Sequence, residues 1–152
     1  MYHSFHLLSI ENASYDDYHH PYLQEGIYIP ADWIDALSDT HFWIPTYNPA
    51  RREASYGLAG IGPTVIRLEG AEIAYNVFSG WINLLNYGPE ILTLRGAMEI
   101  DVEARKAEFS EIKVDKVEFI TKLNKLSIYA QQIIDTNGKF FIFDQGLIGN
   151  PW

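Results

Sequence analysis

The chain has 152 residues, with 20 acidic against 11 basic side chains for a formal net charge of -9; 47% of its residues are apolar and 14% aromatic. Such a composition excludes an intrinsically disordered chain. The absence of cysteine excludes disulfides, thiolate metal sites and cysteine nucleophiles, and the net charge disfavours nucleic acid and anionic lipid while favouring a cationic partner. The length suits one domain over residues 1–152, since domains commonly run about 100–150 residues. No apolar run approaches the roughly 18 residues of a membrane span. Met1 to Leu8 carries no Lys or Arg ahead of its short apolar stretch, so the expectation is a cytoplasmic chain without a secretory signal.

Taken in chain order, Ser4–Ile10 reads as a first strand. Glu11–Asp17 is turn-rich, and Pro21 and Pro30 punctuate the stretch after it, so a loop with short pieces is expected up to residue 30. Ala31–Leu37 reads as a short helix, because Pro30 suits its start and Trp33, Ile34 and Leu37 share a face. Residues 44–63 hold Pro45, Pro49, Gly57, Gly60, Gly62 and Pro63, a loop composition, and long loops are often functional. Thr64–Leu68 is a strand. Residues 71–87 place Ile73, Val77, Trp81, Leu84 and Leu85 at helical spacing, stopped by Gly88-Pro89 and weakened by Gly80.

Glu90–Arg95, Ala97–Val102 and Glu108–Val114 read as strands, the last two joined by the charged turn 103–106. Lys116–Asp135 is the clearest helix. Asp115 is suited to cap it, Glu118 stands where a capping box needs it, and Val114 and Phe119 occupy staple positions. Phe119, Leu123, Leu126, Ala130 and Ile133 repeat every three or four residues, and Asn137-Gly138 ends the run. Lys139–Phe143 is a closing strand, apolar after Lys139 and so expected between two neighbours. The predicted fold is α+β, a mostly antiparallel sheet packed against the 71–87 and 116–135 helices.

Chemistry is sparse. His3 and His6 stand three apart on a strand and so point to opposite faces. His19 and His20, beside Asp16 and Asp17, leave open a small metal-dependent or small-ligand enzyme, though no metal-binding spacing supports it. No Gly-x-Ser-x-Gly elbow occurs, and residues 57–62, though glycine-rich, lack the Gly-Lys-Ser/Thr ending of a phosphate loop. No catalytic residue, metal or cofactor is expected, and a structural, oligomer-forming role remains a further alternative.

The uneven feature is the first third. Residues 1–50 hold seven acids and no Lys or Arg, for a net of -7, with ten aromatics and all five histidines. Interfaces draw their energy from a few aromatic anchors while charge sets the encounter rate. Asp16, Asp17, Tyr18, Tyr22, Asp32, Asp35, Asp39, Trp43 and Tyr47 match that composition as a partner-binding set, with Phe5, Trp33 and Phe42 assigned to the core. The acidic surroundings favour imidazolium, so these histidines are expected to titrate above the usual ~6.5.

Residues 90–148 carry a resemblance. The stretch runs Ile91-Leu92-Thr93-Leu94-Arg95-Gly96, then Ile112-Lys113-Val114-Asp115-Lys116-Val117-Glu118-Phe119, a capped helix with Leu123 and Leu126 in a Leu-x-x-Leu core, the Asn137-Gly138 turn and Phe140-Phe141-Ile142-Phe143. It resembles bacterial immunity proteins of polymorphic-toxin and contact-dependent inhibition systems. The resemblance implies a small, soluble, non-catalytic protein that neutralises a basic toxin domain, such as a nuclease, by covering its active site with acidic side chains.

Overall fold

The computed structural model describes residues 1–14, 16, 25–37 and 39–149. In chain order its elements are β1 (Tyr2–Ser9), β2 (Ile27–Pro30), α1 (Ala31–Ala36), a 3-10 turn (Asp39–Trp43), β3 (Pro45–Asn48), β4 (Glu53–Tyr56), β5 (Thr64–Ile66), α2 (Leu68–Asn86), β6 (Ile91–Asp101), β7 (Lys106–Asp115), α3 (Lys116–Asp135) and β8 (Phe140–Asp144). A strand as apolar as β8 needs a neighbour on each edge and cover on each face. It has both neighbours: the order β2-β1-β8-β5-β3-β4 sets it between β1 and β5, with Leu7 opposite Ile142 and Val65 opposite Phe143. Every pairing in this sheet is antiparallel, and the α+β expectation holds.

Strand alternation sorts the side chains into two clusters. Phe5, Ile29, Ile66 and Ile142 join the main core with Phe78 and Trp81 of α2 and Phe119, Leu123 and Leu126 of α3. Phe141, Phe143 and Val65 point the other way and pack with Leu8, Ala13 and Tyr47. The sheet thus carries α2 and α3 on one face and a small aromatic cluster on the other.

α3 starts and stops where its signals say. The Asp115 carboxylate accepts from the Glu118 backbone N–H at 2.8 Å, while the Glu118 carboxylate pairs with Lys122 at 2.9 Å, so the box is closed from one side. α2 begins three residues earlier than its periodicity suggests. Its buried stripe is Gly70, Ala71, Ala74, Val77, Phe78, Trp81 and Leu85, which leaves Ile73 and Leu84 exposed. Gly70 is needed for close approach, since a Cβ there would stand 2.0 Å from the Pro45 carbonyl oxygen.

Two local expectations are corrected. Residues 44–63 are not one loop, because β3 and β4 pair through them as an edge hairpin. Its turn uses Arg52 at φ 55°, where neither Gly nor Asn announced a left-handed residue. The strands 90–95 and 97–102 are likewise one, β6, with a register shift between Arg95 and Met98. Gly96 marks this bulge rather than a break; a Cβ on it would come within 2.3 Å of the Ser110 hydroxyl.

The helix assignments give a stability prediction. Leu123→Ala and Leu126→Ala remove fully buried side chains and are expected to cost about 2–5 kcal/mol; Asp115→Ala is expected to cost about 1 kcal/mol. Gly80→Ala goes the other way, gaining about 1 kcal/mol, because a Cβ at Gly80 meets nothing within 4 Å. Denaturation midpoints check all four, and a Gly80→Ala variant no more stable than wild type would contradict the placement of that residue.

Candidate functional site

A six-residue helix has little stability of its own, so α1 depends on what it docks against. Ile34 is buried in the main core, and the Trp33 ring lies 5.0 Å from that of Phe119. Asp32 and Asp35 therefore face out, and both are exposed. The 3-10 turn continues the pattern. Side chains three apart eclipse in this geometry, so His41 and Ile44 go inward and leave Phe42 50% and Trp43 66% exposed. Phe42 is thus a surface residue, contrary to its assignment to the core; Phe5 and Trp33 do pack in it. The Trp81 indole N–H donates to the Thr40 hydroxyl at 2.7 Å and ties the turn to α2.

The result is a ridge over residues 32–43 that presents Asp32, Asp35, Asp39, Phe42 and Trp43. Among the described residues neither Asp32 nor Asp35 has an ion-pair partner. On one side Trp43 overhangs an apolar groove of about 320 Å³ floored by Val77, Gly80 and Trp81. On another, Asp32 and Asp35 border a recess of about 300 Å³ with Arg95 and Phe109, where the guanidinium stacks over the phenyl ring at 4.5 Å.

The residues expected to act together do not form one surface. Tyr47, Val65 and Phe143 stand in a cross-strand row on the face away from α2 and α3. Tyr47 donates its hydroxyl to Asp16 there, and Arg67 lies 4.5 Å over its ring. Asp16 and Tyr47 are consequently separated from the ridge by the thickness of the sheet. Asp17, Tyr18 and Tyr22, with His19 and His20, lie outside the described residues.

A third cavity, of about 400 Å³, opens beneath the ridge, lined by His3, Asp35, Asp39, His41, Phe42 and Gly60 among others. His3 sits on the helix-facing side of β1, and its Nδ1 donates to Asp144 Oδ2 at 2.8 Å. The same carboxylate accepts from the backbone N–H groups of Ser4 at 3.1 Å and Gly146 at 3.2 Å. His6 points to the opposite face, as its spacing requires, and its Nδ1 donates to the Glu25 carbonyl at 2.6 Å. His41 is held from the other nitrogen: Nδ1 accepts from the Leu58 N–H at 3.2 Å, which leaves the proton on Nε2.

Burial lowers the His41 pKa below 6.5; Asp35 and Asp39 push it up and His3 pushes it down, and burial prevails. For this histidine the expected upward shift is reversed, because desolvation of the charged form outweighs the carboxylates. Among the described residues no group of three or more His, Asp or Glu side chains is placed to hold a metal ion.

The cavity was the part that sequence reading missed. Its lining draws on His3, Asp35, Asp39, His41 and Leu147, with Asp144 holding His3 from outside the lining, and no local spacing links the two chain-terminal stretches to residues 35–41. The one signal was Asp144 itself, a carboxylate directly after four apolar residues of a central strand. No family model matches the chain, and no characterised protein or solved structure is detectably similar to it.

His41 makes stability depend on pH with a definite sign. The unfolded chain, with histidine near ~6.5, binds the proton more readily than the folded one. The contribution of His41 is therefore complete above that value and lost as pH falls through the lowered folded-state pKa. His41→Asn keeps an acceptor for the Leu58 N–H and cannot titrate. The stability advantage of wild type over this variant is expected to shrink between pH 7.5 and 5 in denaturant melts; parallel curves would contradict the reading.

Proposed function

We propose that the chain is a protein-binding domain whose 32–43 ridge receives a cationic protein, and that it serves as an immunity protein neutralising a basic toxin domain. The observation that carries this reading is the pairing of two large exposed aromatics, Phe42 and Trp43, with three carboxylates in a segment free of Lys and Arg. A soluble chain ordinarily hides such rings. Aromatic anchors framed by charge are the composition of an interface centre, and the carboxylates supply the steering field. Placed over a toxin's active site, Asp32, Asp35 and Asp39 would stand where substrate phosphates bind. The apolar groove beside Trp43 offers room for a partner side chain next to the anchors.

The test begins with affinity capture by the full chain from its cells of origin, followed by binding kinetics with the captured protein. A single basic partner is expected. Phe42→Ala with Trp43→Ala should weaken binding by about 30-fold or more, as loss of a hot spot of about 2 kcal/mol implies, and leave the denaturation midpoint unchanged. Asp32→Asn, Asp35→Asn and Asp39→Asn together should slow association, most strongly at low ionic strength. Asp16→Asn and Tyr47→Phe, on the far face, serve as controls. A partner bound equally well by the ridge variants would overturn the proposal.

A further inference from the structure

On a face of α2 other than the one beside Trp43, a recess of about 400 Å³ opens between α2 and α3. Tyr75, Ser79 and Asn83 of α2 line it together with Asn124, Ser127 and Gln131 of α3. Ser127 is 8% exposed, and its buried Oγ has no hydrogen-bond partner among the described residues. A hydroxyl inside a helix can satisfy itself by donating to the carbonyl four residues back. Thr121 of α3 does so to Val117 at 2.7 Å, and Thr136 just after the helix does so to Gln132 at 2.7 Å. Ser127 does not. Alanine would suit the same position with better helix propensity and nothing left unpaired, so the hydroxyl marks a place for a partner from outside the fold.

We propose that this recess binds a neutral sugar ring, with Ser127 at its base. The lining holds no charged side chain, so an ionised ligand would lose hydration without gaining a counter-charge. A hydrocarbon would cover the serine hydroxyls and the Gln131 amide without pairing them. A sugar ring meets both demands. Its hydroxyls donate and accept, as the amides of Asn83, Asn124 and Gln131 also do. Its C–H faces cover the apolar sides of Tyr75 and Ile82, which pack on the core, and of Ile128, which is 62% exposed. Gln131 donates through Nε2 to Asp135 at 2.8 Å and keeps its carbonyl oxygen for the ligand. Serine has only χ1 to set, so one rotamer step turns the Ser127 hydroxyl toward the ring. A nucleobase of similar polarity arrives on a phosphate, which neither this lining nor a net charge of -9 favours. The volume lies within the roughly 300–1,000 Å³ of small-molecule sites. The site is separate from the ridge, and neither reading rests on the other.

The experiment adds glucose, galactose, mannose and N-acetylglucosamine separately to the full chain and follows the side-chain amide resonances of Asn83, Asn124 and Gln131 by NMR. The 6-phosphate of each sugar, at matched ionic strength, is the charged counterpart. Saturable shifts at these amides are expected with at least one neutral sugar and not with its phosphate. Ser127→Ala should weaken that binding about tenfold or more, as loss of a ligand hydrogen bond implies, while the denaturation midpoint holds or rises. A merely structural serine would not show that combination. Asn124→Ala, at an exposed helix position, should also weaken binding. Asn76→Ala is the control, because Asn76 lines the groove beside Trp43 and bonds the Glu72 carbonyl, and it should leave binding unchanged. Absence of saturation with all four sugars, equal affinity for a phosphate, or binding that survives Ser127→Ala would overturn the site. A lowered midpoint in Ser127→Ala would overturn it as well, since the hydroxyl would then be satisfied within the fold.

Discussion

A buried carboxylate at the end of the central strand organises this molecule. Asp144 is 1% exposed and takes three donors, the His3 imidazole and the backbone amides of Ser4 and Gly146. Those donors come from the two ends of the chain. The carboxylate therefore fixes the register of β1 against β8, the strand pair on which the rest of the six-stranded sheet is laid. Removing one partner of a buried pair costs about 3–5 kcal/mol, against a total stability of about 5–15 kcal/mol for a domain. An apolar pair could seal the same place, so the polar choice has a second consequence. It orients His3 with one nitrogen spoken for and the other facing the cavity under α1.

The ridge depends on that arrangement. With β1 and β2 in place, Ile34 and Trp33 have a core to enter, and a helix too short to stand alone becomes ordered. Its remaining side chains, Asp32 and Asp35, are then displayed rather than merely present. The 3-10 turn inverts what hydrophobicity alone suggests: His41 is buried while Phe42 and Trp43 are out. A polar ring inside and two apolar rings outside run against burial energetics, which is the kind of local conflict expected where binding rather than folding sets the residue.

How much of this the sequence discloses depends on the range of the interaction. α3 was legible to the residue because its signals are local: an Asp cap, a staple, a 3–4 repeat and an Asn-Gly stop. The central place of β8 was legible from four consecutive apolar residues. The β3–β4 hairpin was not, since Glu53-Ala54-Ser55-Tyr56 is a polar edge strand without alternation and its turn residue is an arginine. Phe42, expected in the core, lies at the surface because only the turn geometry decides which of two neighbours points inward. The acidic third was visible as composition, but sheet alternation sends Tyr47, and Asp16 with it, to one face and the ridge to the other. The His3–Asp144 contact behind the cavity joins positions 141 apart, beyond the reach of any spacing argument.

The central claim is that the 32–43 ridge, and not the far face of the sheet, is the surface that meets a cationic partner. Backbone hydrogen exchange of the full chain, free and saturated with the captured basic protein, tests it most directly. Slowed exchange is expected over residues 31–44 and 57–60, with β3 and β4 unchanged. Protection confined to β3, β4 and the Asp16–Tyr47 face, with residues 31–44 exchanging as in the free chain, would contradict it.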